Sequence, residues 1–300
     1  MKTTDYKEEL EKKIDEISLE WYEANKGFCE NKEKLADKIK GWINNADENE
    51  KSILLDLFKK SKYYSKSTIN KVFLQFYNKL ENKEYSLFTA IESQDIRQNS
   101  SHSYLNEFAL ISDVSEYNII PMLSGFPKQD LKYIKNIVFL DDIVGTGQTI
   151  IDFFDTILEI LDGKKIYIWV ICITAEAKIK LEEYALNYKL QLEICFGNIE
   201  EKAFKEGYIF DISQASHNKL SILNLEKKLW NKDKCDYFLG KDDSQCLVSF
   251  YNDTPNNTLS SFWFFSESWN PIFERKKKKQ PAWLKEKKKE RRRINYEQKH

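Results

Sequence analysis

Apolar side chains recur at three- and four-residue steps through the first 84 residues of the chain. Three such series are Leu10, Ile14, Ile17 and Trp21, then Ile53, Leu54, Leu57 and Phe58, then Ile69, Val72, Phe73, Phe76, Tyr77 and Leu80. Residues at these steps share one face of an α-helix. Ser67 or Thr68 is placed to cap the helix of the third series. The pattern therefore predicts a helical N-terminal region over residues 1–84.

After Glu84 the apolar residues form short continuous runs instead. Helical spacing returns within this part over residues 148–161 and 177–187. Strands that are apolar on both faces and joined by helices indicate a parallel sheet covered on each side. We therefore expect an α/β domain over residues 85–274. Its predicted sheet strands are residues 86–91, 117–122, 137–140, 166–173 and 190–196.

The rest of this domain is predicted from weaker patterns. A helix is expected around Asn218–Trp230, and apolar runs follow at 245–251 and 259–265. The turn-rich residues Asp253–Thr258 separate the two runs. We expect both runs to be added strands that close the domain.

The charge of the chain is divided between its body and its tail. The formal net charge is −1, but residues 275–300 hold 13 Lys and Arg and 3 Glu, a net charge of +10 against −11 for residues 1–274. Such charge runs are usually solvated. Clustered Lys and Arg near Trp283 and Tyr296 are also typical of segments that bind nucleic acid. Both interpretations of the tail stay open at this point.

Composition excludes several classes of protein. With 41% apolar and 14% aromatic residues, a chain of 300 residues can bury a core. Its longest apolar run, Ile166–Ile173, is far shorter than the roughly 20 residues that cross a bilayer. The N-terminus lacks the apolar segment of a secretory signal, so we expect a cytoplasmic protein. Five cysteines without a Cys-x-x-Cys pair and three scattered histidines predict free thiols and no structural zinc site.

The segment 137–149, Ile-Val-Phe-Leu-Asp-Asp-Ile-Val-Gly-Thr-Gly-Gln-Thr, has the features of a phosphate-binding loop. Four apolar residues form a strand, two carboxylates follow, and a glycine loop leads directly into a helix. Open α/β sheets bind ligands at the carboxyl ends of their strands. Glycine lets backbone N–H groups approach an anion, and the helix N-terminus adds partial positive charge. The predicted phosphate-binding residues are Gly145, Thr146, Gly147, Gln148 and Thr149.

Asp141 and Asp142 precede this loop and would repel a phosphate unless they face another part of the same ligand. The hydroxyls of a ribose 5-phosphate meet that condition when its phosphate lies on the loop. Mg²⁺ near the two carboxylates, held through ribose hydroxyls or water, could bridge the sugar and a pyrophosphate on C1. Negative charge under the ring would favour an oxocarbenium-like transition state. We therefore predict catalytic and metal-binding roles for both acids.

Other phosphate-binding motifs fit this segment less well. A P-loop requires Gly-Lys-Ser/Thr, and the lysine is absent. A dinucleotide fingerprint requires a third glycine where Ile150 stands. A receiver domain also has acids at a strand end, but no glycine-threonine loop follows them.

Residues 137–149 resemble the signature of the type I phosphoribosyltransferases: four apolar residues, two acids, two apolar residues and a small-Thr-Gly-x-Thr loop. The resemblance implies a type I phosphoribosyltransferase-like fold that binds phosphoribosyl pyrophosphate (PRPP) or a related ribose-5-phosphate nucleotide. Gly145 departs from the Thr, Ser, Ala, Val or Asp that is common in that family. The 6-oxopurine branch uses Asp there to move a proton, which Gly145 cannot do. The resemblance therefore does not extend to hypoxanthine or guanine salvage.

Further segments outside this motif also carry a resemblance. They are the helices around Trp21 and residues 53–57, 63–65, 253–259 and 268–273. These segments resemble the PRTase-CE family, a phosphoribosyltransferase-like group of bacterial conflict systems. The resemblance covers about residues 15–275 and implies a part in antiphage defence.

Two further segments are candidates for ligand contacts. Type I enzymes bind pyrophosphate with a second loop after an earlier strand, and Arg97, Ser100 and Ser101 follow the 86–91 run in that order. A polar surface turn is the alternative. Asn256 and Asn257 can donate and accept hydrogen bonds at once, as contact with an adenine-like base requires, although Asx turns use the same residues.

Three functions are open from the sequence. The first is an Mg²⁺-dependent enzyme of the phosphoribosyltransferase class. The second is a nucleotide sensor with the same site but without turnover. The third is a nucleic-acid-binding defence component that uses residues 275–300. The first two depend on the 141–149 segment, and the third does not.

Overall fold

The N-terminal part of the chain is helical, as its apolar spacing predicts. The structure is a computed structural model that describes residues 2–92 and 99–276, so Arg97 and residues 277–300 of the tail lie outside the described residues. No helix in the two described ranges is both long and apolar enough to span a bilayer. The elements before the sheet are α1 Lys2–Ala24, α2 Lys32–Ile43, α3 Glu48–Lys60, β1 Lys62–Tyr64 and α4 Lys66–Lys79.

Side-chain caps determine where these helices begin. The Asp47 carboxylate accepts the Glu50 N–H (2.8 Å), and the Glu50 carboxylate accepts the Asp47 N–H (3.0 Å), which forms a capping box at the start of α3. The predicted cap of α4 at Ser67 or Thr68 is wrong. The helix begins earlier because the Ser65 hydroxyl accepts the Thr68 N–H.

Five parallel strands form the central sheet, in the order β3-β2-β4-β5-β6. The strands are β2 Ser86–Ala90, β3 Ile119–Ile120, β4 Asn136–Val144, β5 Lys165–Thr174 and β6 Gln191–Glu200. The helices that join them are α5 Ser100–Ile111, α6 Gln148–Leu161 and α7 Ala175–Asn187. The predicted α/β architecture with a parallel sheet is confirmed.

Helices cover both faces of this sheet. Successive strand residues point to opposite faces. On one face, Val138 and Leu140 lie in a core with Phe73 of α4 and Phe108 of α5. On the other face, Phe139 lies in a core with residues of α6 and α7. This double cover explains why the strands have apolar residues at nearly every position.

The C-terminal segment packs against the N-terminal helices. It contains α8 Ile212–Trp230, β7 Val248–Phe250 and α9 Ser260–Trp263. β7 pairs with β1 in a separate two-stranded parallel sheet. The Trp42 indole N–H donates to the Ser261 carbonyl (2.9 Å), and α1–α3 share one hydrophobic core with α8 and α9.

The predicted strand over residues 259–265 is wrong, because this run contains the short helix α9. Its aromatic residues Phe262 and Trp263 are buried. A short apolar run indicates burial, and periodicity alone does not separate a buried strand from a buried helical turn. The predicted strand over 245–251 is limited to β7, and that over 117–122 to the two residues of β3.

The strand order creates a switch point between β2 and β4. The chain continues from β2 to β3 on one side and from β4 to β5 on the other, and doubly wound sheets bind ligands at the carboxyl ends of strands at such a point. Ala90, the last residue of β2, pairs with Leu140, whereas β4 continues beside β5 to Val144. The residues that follow Leu140 therefore extend beyond β2 at the carboxyl edge.

Candidate functional site

A cleft of about 730 Å³ lies at this switch point. Its first wall is the end of β4, the 145–147 loop and the start of α6, with residues from the start of α5 beside it. Its second wall is the segment 252–257 together with Lys241, Arg275 and Lys276. The cleft therefore joins segments that are far apart along the chain.

Asp141 and Asp142 line the cleft at the carboxyl end of β4, where both are half-buried. The Asp141 carboxylate accepts the Asp142 N–H (2.9 Å), and the Asp142 carboxylate accepts the Ile143 N–H (2.9 Å). The Ser100 hydroxyl lies 3.5 Å from the Asp141 carboxylate and 3.2 Å from that of Asp142. Burial raises the pKa of both carboxyls, and the charge of Asp142 raises that of Asp141 further. A ligand that brings hydroxyl donors or positive charge here would stabilise the pair.

The loop after β4 depends on Gly147, the N-cap of α6. Its φ of +72° lies in the left-handed region, and a Cβ there would also contact Leu181 at 3.4 Å. Gly145, Thr146 and Thr149 line the cleft with it, at the N-terminus of a 14-residue helix whose dipole favours anions. The structure thus brings four of the five predicted phosphate-binding residues to the cleft.

Gln148, the fifth predicted residue, has its side chain elsewhere. Its amide donates to the Asp152 carboxylate (2.6 Å) and accepts from the Lys180 ammonium group (2.6 Å). These bonds hold the exposed side chain between α6 and α7. A phosphate contact at this position would therefore use the backbone N–H.

Gly145 and Asn257 share one small volume. A Cβ on residue 145 would lie 1.9 Å from Nδ2 of Asn257 and 2.8 Å from its Cγ, so a side chain there would displace the Asn257 amide. The Thr174 hydroxyl donates to the Gly145 carbonyl (2.6 Å), and the Ser244 hydroxyl donates to the Asn257 carbonyl (2.9 Å). These bonds hold the backbone of both residues. Asn257 and Asn256, the predicted base contacts, line the cleft.

Of the predicted pyrophosphate-binding residues, Ser100 lines the cleft and Ser101 does not. Ser101 is only 1% exposed. Its hydroxyl donates to the Leu140 carbonyl and accepts the Ile91 N–H (2.7 Å), so it joins α5 to β4 and to the end of β2. Ser101 therefore holds α5 against the sheet and does not face the cleft. Arg97 lies outside the described residues.

The second wall carries positive charge that sequence reasoning did not assign to the site. The Arg275 guanidinium lies 4.7 Å from the centre of the Trp263 ring and donates to the Thr254 carbonyl (2.8 Å). Lys241 and Lys276 line the cleft beside it. In the sequence, Arg275 and Lys276 are indistinguishable from the start of the basic tail, and Lys241 is one of many lysines. Only the folded chain brings the three together.

The acid pair can be tested for its fit to Mg²⁺. Among the described residues, no group of three or more His, Cys, Asp or Glu side chains is arranged to hold a metal ion. Mg²⁺ is, however, commonly held by one or two carboxylates together with water and substrate oxygens. The hydrogen bonds of Asp141 and Asp142 engage Oδ1 of each carboxylate. The two residues therefore fit a metal ion that binds together with its ligand.

The doubly wound sheet, the paired acids at its switch point and the glycine-threonine loop before α6 define a phosphoribosyltransferase-like α/β protein. Residues 39–275 match the family model PRTase-CE, and the chain belongs to this family. The matched range includes both walls of the cleft as far as Arg275.

Comparison with solved structures gives similarities at low identity. Orotate phosphoribosyltransferase from Aeropyrum pernix is 13% identical, with a TM-score of 0.32, over 44% of this chain and 69% of that one. The AQ2163 protein from Aquifex aeolicus is 16% identical, with a TM-score of 0.32, over 62% and 94%. Xanthine-guanine-hypoxanthine phosphoribosyltransferase from Helicobacter pylori is 16% identical, with a TM-score of 0.29, over 46% and 88%. Comparison with curated proteins gives no significant match.

Proposed function

We propose that the cleft binds PRPP or a related ribose-5-phosphate nucleotide together with Mg²⁺. The observation that supports this most directly is the order of groups along the first wall. Asp141 and Asp142 are followed by the glycine loop and the N-terminus of α6. This wall offers carboxylates to ribose hydroxyls and N–H donors to a 5-phosphate, in the order in which such a ligand carries them.

Each residue of the first wall has a role in this proposal. Asp141 and Asp142 accept hydrogen bonds from the 2- and 3-hydroxyls and place negative charge under the ring, which stabilises positive charge that develops at C1. Thr146, Thr149 and the backbone N–H groups of the loop hold the 5-phosphate. Mg²⁺, held by the two aspartates through water or ribose hydroxyls, would neutralise charge on a pyrophosphate leaving group.

The proposed biological role is that of an effector in bacterial antiphage defence. Its basis is membership of the PRTase-CE family, a phosphoribosyltransferase-like group of bacterial conflict systems. An effector of this class would change the pool of a phosphoribosyl compound when it is activated.

A sensor that binds the same ligand without turnover is the second candidate. One observation favours it. Gly145 has no side chain, and the Asn257 amide that fills its place does not titrate. Neither residue can move a proton to or from an acceptor base.

Calorimetry with PRPP and Mg²⁺ tests the binding proposal. We expect wild-type protein to bind, and Asp142→Asn to lose at least about tenfold in affinity, equivalent to about 1.4 kcal/mol. Asp162→Asn is the matched control, since Asp162 caps the far end of α6. It should bind like wild type. If neither wild type nor Asp142→Asn binds PRPP, the proposal is wrong.

Pyrophosphate release separates the enzyme from the sensor. Wild-type protein that binds PRPP is incubated with nucleobases, nucleosides and RNA, and released pyrophosphate is measured. Release that Asp142→Asn lowers and Asp162→Asn does not supports an enzyme. Binding without release across these acceptors supports the sensor.

A further inference from the structure

The position of Arg275 is fixed by packing. Its guanidinium stacks over Trp263 and donates through Nη1 to the carbonyl of Thr254. Thr254 is fully buried, and its hydroxyl donates to the carbonyl of Glu274, the residue before Arg275 (2.7 Å). Two hydrogen bonds therefore join Thr254 to the Glu274–Arg275 segment. A guanidinium has five N–H donors. Within residues 2–92 and 99–276, the Arg275 guanidinium forms no ion pair.

The charges around Arg275 leave the second wall positive. Lys241 and Lys276 also line the cleft, and Asp253 is the acid of this wall. Oδ1 of Asp253 accepts the N–H groups of Thr254 (3.0 Å) and Lys276 (2.8 Å). Three cations and one carboxylate give a net charge of about +2, facing the acid pair of the first wall. The cleft is therefore divided into an acidic end and a basic end.

We propose that Arg275 and Lys241 form a second anion subsite, separate from the 145–149 loop. The ligand would then be a phosphoribosyl compound that carries a further anionic group besides its 5-phosphate. This inference rests on the proposed function, because the loop is its reference point. A half-buried, pre-positioned guanidinium is well suited to bind phosphate or carboxylate oxygens through two parallel hydrogen bonds. Lys241 adds a flexible positive charge.

The second anionic group can have two chemical sources. One is a diphosphate on C1 of the ribose, and the other is a carboxylate carried by the base. Two ligand pairs separate them. PRPP and ribose 5-phosphate differ by the diphosphate, and orotidine 5′-monophosphate and uridine 5′-monophosphate differ by one carboxylate.

The test compares dissociation constants of these four ligands for wild type, Arg275→Gln and Lys241→Gln, with Mg²⁺ present. We expect wild type to bind the ligand with the extra anion more tightly within at least one pair. Arg275→Gln should lose about tenfold or more for that ligand and less than about threefold for its partner. Lys241→Gln should lose about threefold or more in the same selective manner. The control is Lys232→Gln, whose ammonium group lies over Trp230 and does not line the cleft.

Selectivity decides the outcome, because a merely structural role of Arg275 would weaken all four ligands equally. Equal losses across both pairs, or unchanged affinities in both variants, would overturn the second subsite. If Arg275→Gln does not fold, Lys241→Gln decides, since no described residue bonds to the Lys241 ammonium group.

Pyrophosphate alone separates this inference from the proposed function. Wild type that binds pyrophosphate through Arg275 but none of the four sugar phosphates would support the subsite and contradict the proposed function. Wild type that binds ribose 5-phosphate, but does not prefer the ligand with the extra anion in either pair, would support the proposed function and contradict the subsite. Absence of binding by all five compounds would contradict both.

Discussion

The carboxylate of Glu226 and those of the Asp141–Asp142 pair lie in different surroundings. Glu226 of α8 is fully buried, and its two oxygens accept the N–H groups of Leu239 (2.6 Å) and Ser261 (2.7 Å). Asp141 and Asp142 are half-buried, adjacent to each other and open to the cleft. Burial raises the pKa in both groups. The folded chain pairs both oxygens of Glu226 with backbone N–H groups, whereas its hydrogen bonds to Asp141 and Asp142 engage Oδ1 of each carboxylate.

The difference distinguishes a structural acid from a binding site. Glu226 connects α8, the turn at Leu239 and the start of α9, so its hydrogen bonds stabilise the fold. The aspartate pair places like charges side by side, which costs stability that a ligand or cation would offset. Perturbed acids that open to a cleft are candidates for function. An acid whose two oxygens are both paired with backbone N–H groups away from any cleft is structural.

Substitution of Glu226 should have the largest effect on stability. In Glu226→Ala, two buried N–H groups lose their acceptor and a cavity remains, so we expect a loss of about 3 kcal/mol or more in the free energy of unfolding. Urea denaturation measures this loss. Glu183→Ala, at an exposed position of α7, is the control and should change stability by less than about 0.5 kcal/mol. A loss below about 1 kcal/mol for Glu226→Ala would contradict a structural role.

Substitution at Gly145, which lines the cleft, should have the second largest effect on stability. The added Cβ overlaps the Asn257 amide, so we expect Gly145→Ala to lose about 1–3 kcal/mol of stability and to weaken PRPP binding. The overlap disappears in the double variant Gly145→Ala/Asn257→Gly. In urea denaturation, the double variant should lose less stability than the sum of the two single losses, by about 0.5 kcal/mol or more.

A matched glycine shows whether the Gly145 effect is specific. Gly41 lies in the exposed face of α2, and a Cβ there meets no atom within 4 Å. Gly41→Ala should stabilise the protein by about 0.5–1 kcal/mol, because alanine favours the helix. A stable Gly145→Ala that binds ligand normally would show that Asn257 moves freely and does not shape the cleft.

The sequence predicted the sheet well because its strands are buried on both faces. The apolar run of β5 and the spacing of α6 place these elements within one residue of their observed ends, whereas β4 continues four residues beyond its predicted end at Leu140. Prediction failed where burial comes from distant segments. Residues 259–265 are apolar because α9 packs against α2 and α8, and no local pattern records that contact.

The first wall of the candidate site was predictable from one local motif, and the second wall only at Asn256 and Asn257. The acids and the 145–149 loop are contiguous in sequence, so a local motif reveals them. Arg275 and Lys241 reach the cleft through the packing of the C-terminal segment. Both residues lie outside the motifs that the sequence shows. Gly145 is a further signal, since its missing side chain leaves room for the Asn257 amide of the second wall.

The smallest effect is expected for Asp141→Asn, and its sign separates the two groups of acids. The pKa of Asp141 is raised in the folded protein, so the folded state binds this proton more tightly than the unfolded chain does. As pH rises above about 4, the unfolded chain ionises first and the folded state loses stability relative to it. Removal of the charge should therefore stabilise the ligand-free protein at pH 7 by about 0.5–2 kcal/mol.

The pH dependence of this difference makes the test specific. The stability advantage of Asp141→Asn over wild type should be largest near pH 7 and should vanish below about pH 3, where the carboxyl is protonated in both states. Asp162→Asn, at an exposed position, is the control for the Asn substitution itself and should change stability at pH 7 by less than about 0.5 kcal/mol. Glu226→Ala destabilises in the same urea series. If Asp141→Asn is also less stable than wild type at pH 7, the aspartate pair is structural like Glu226, and the distinction between the two groups of acids fails.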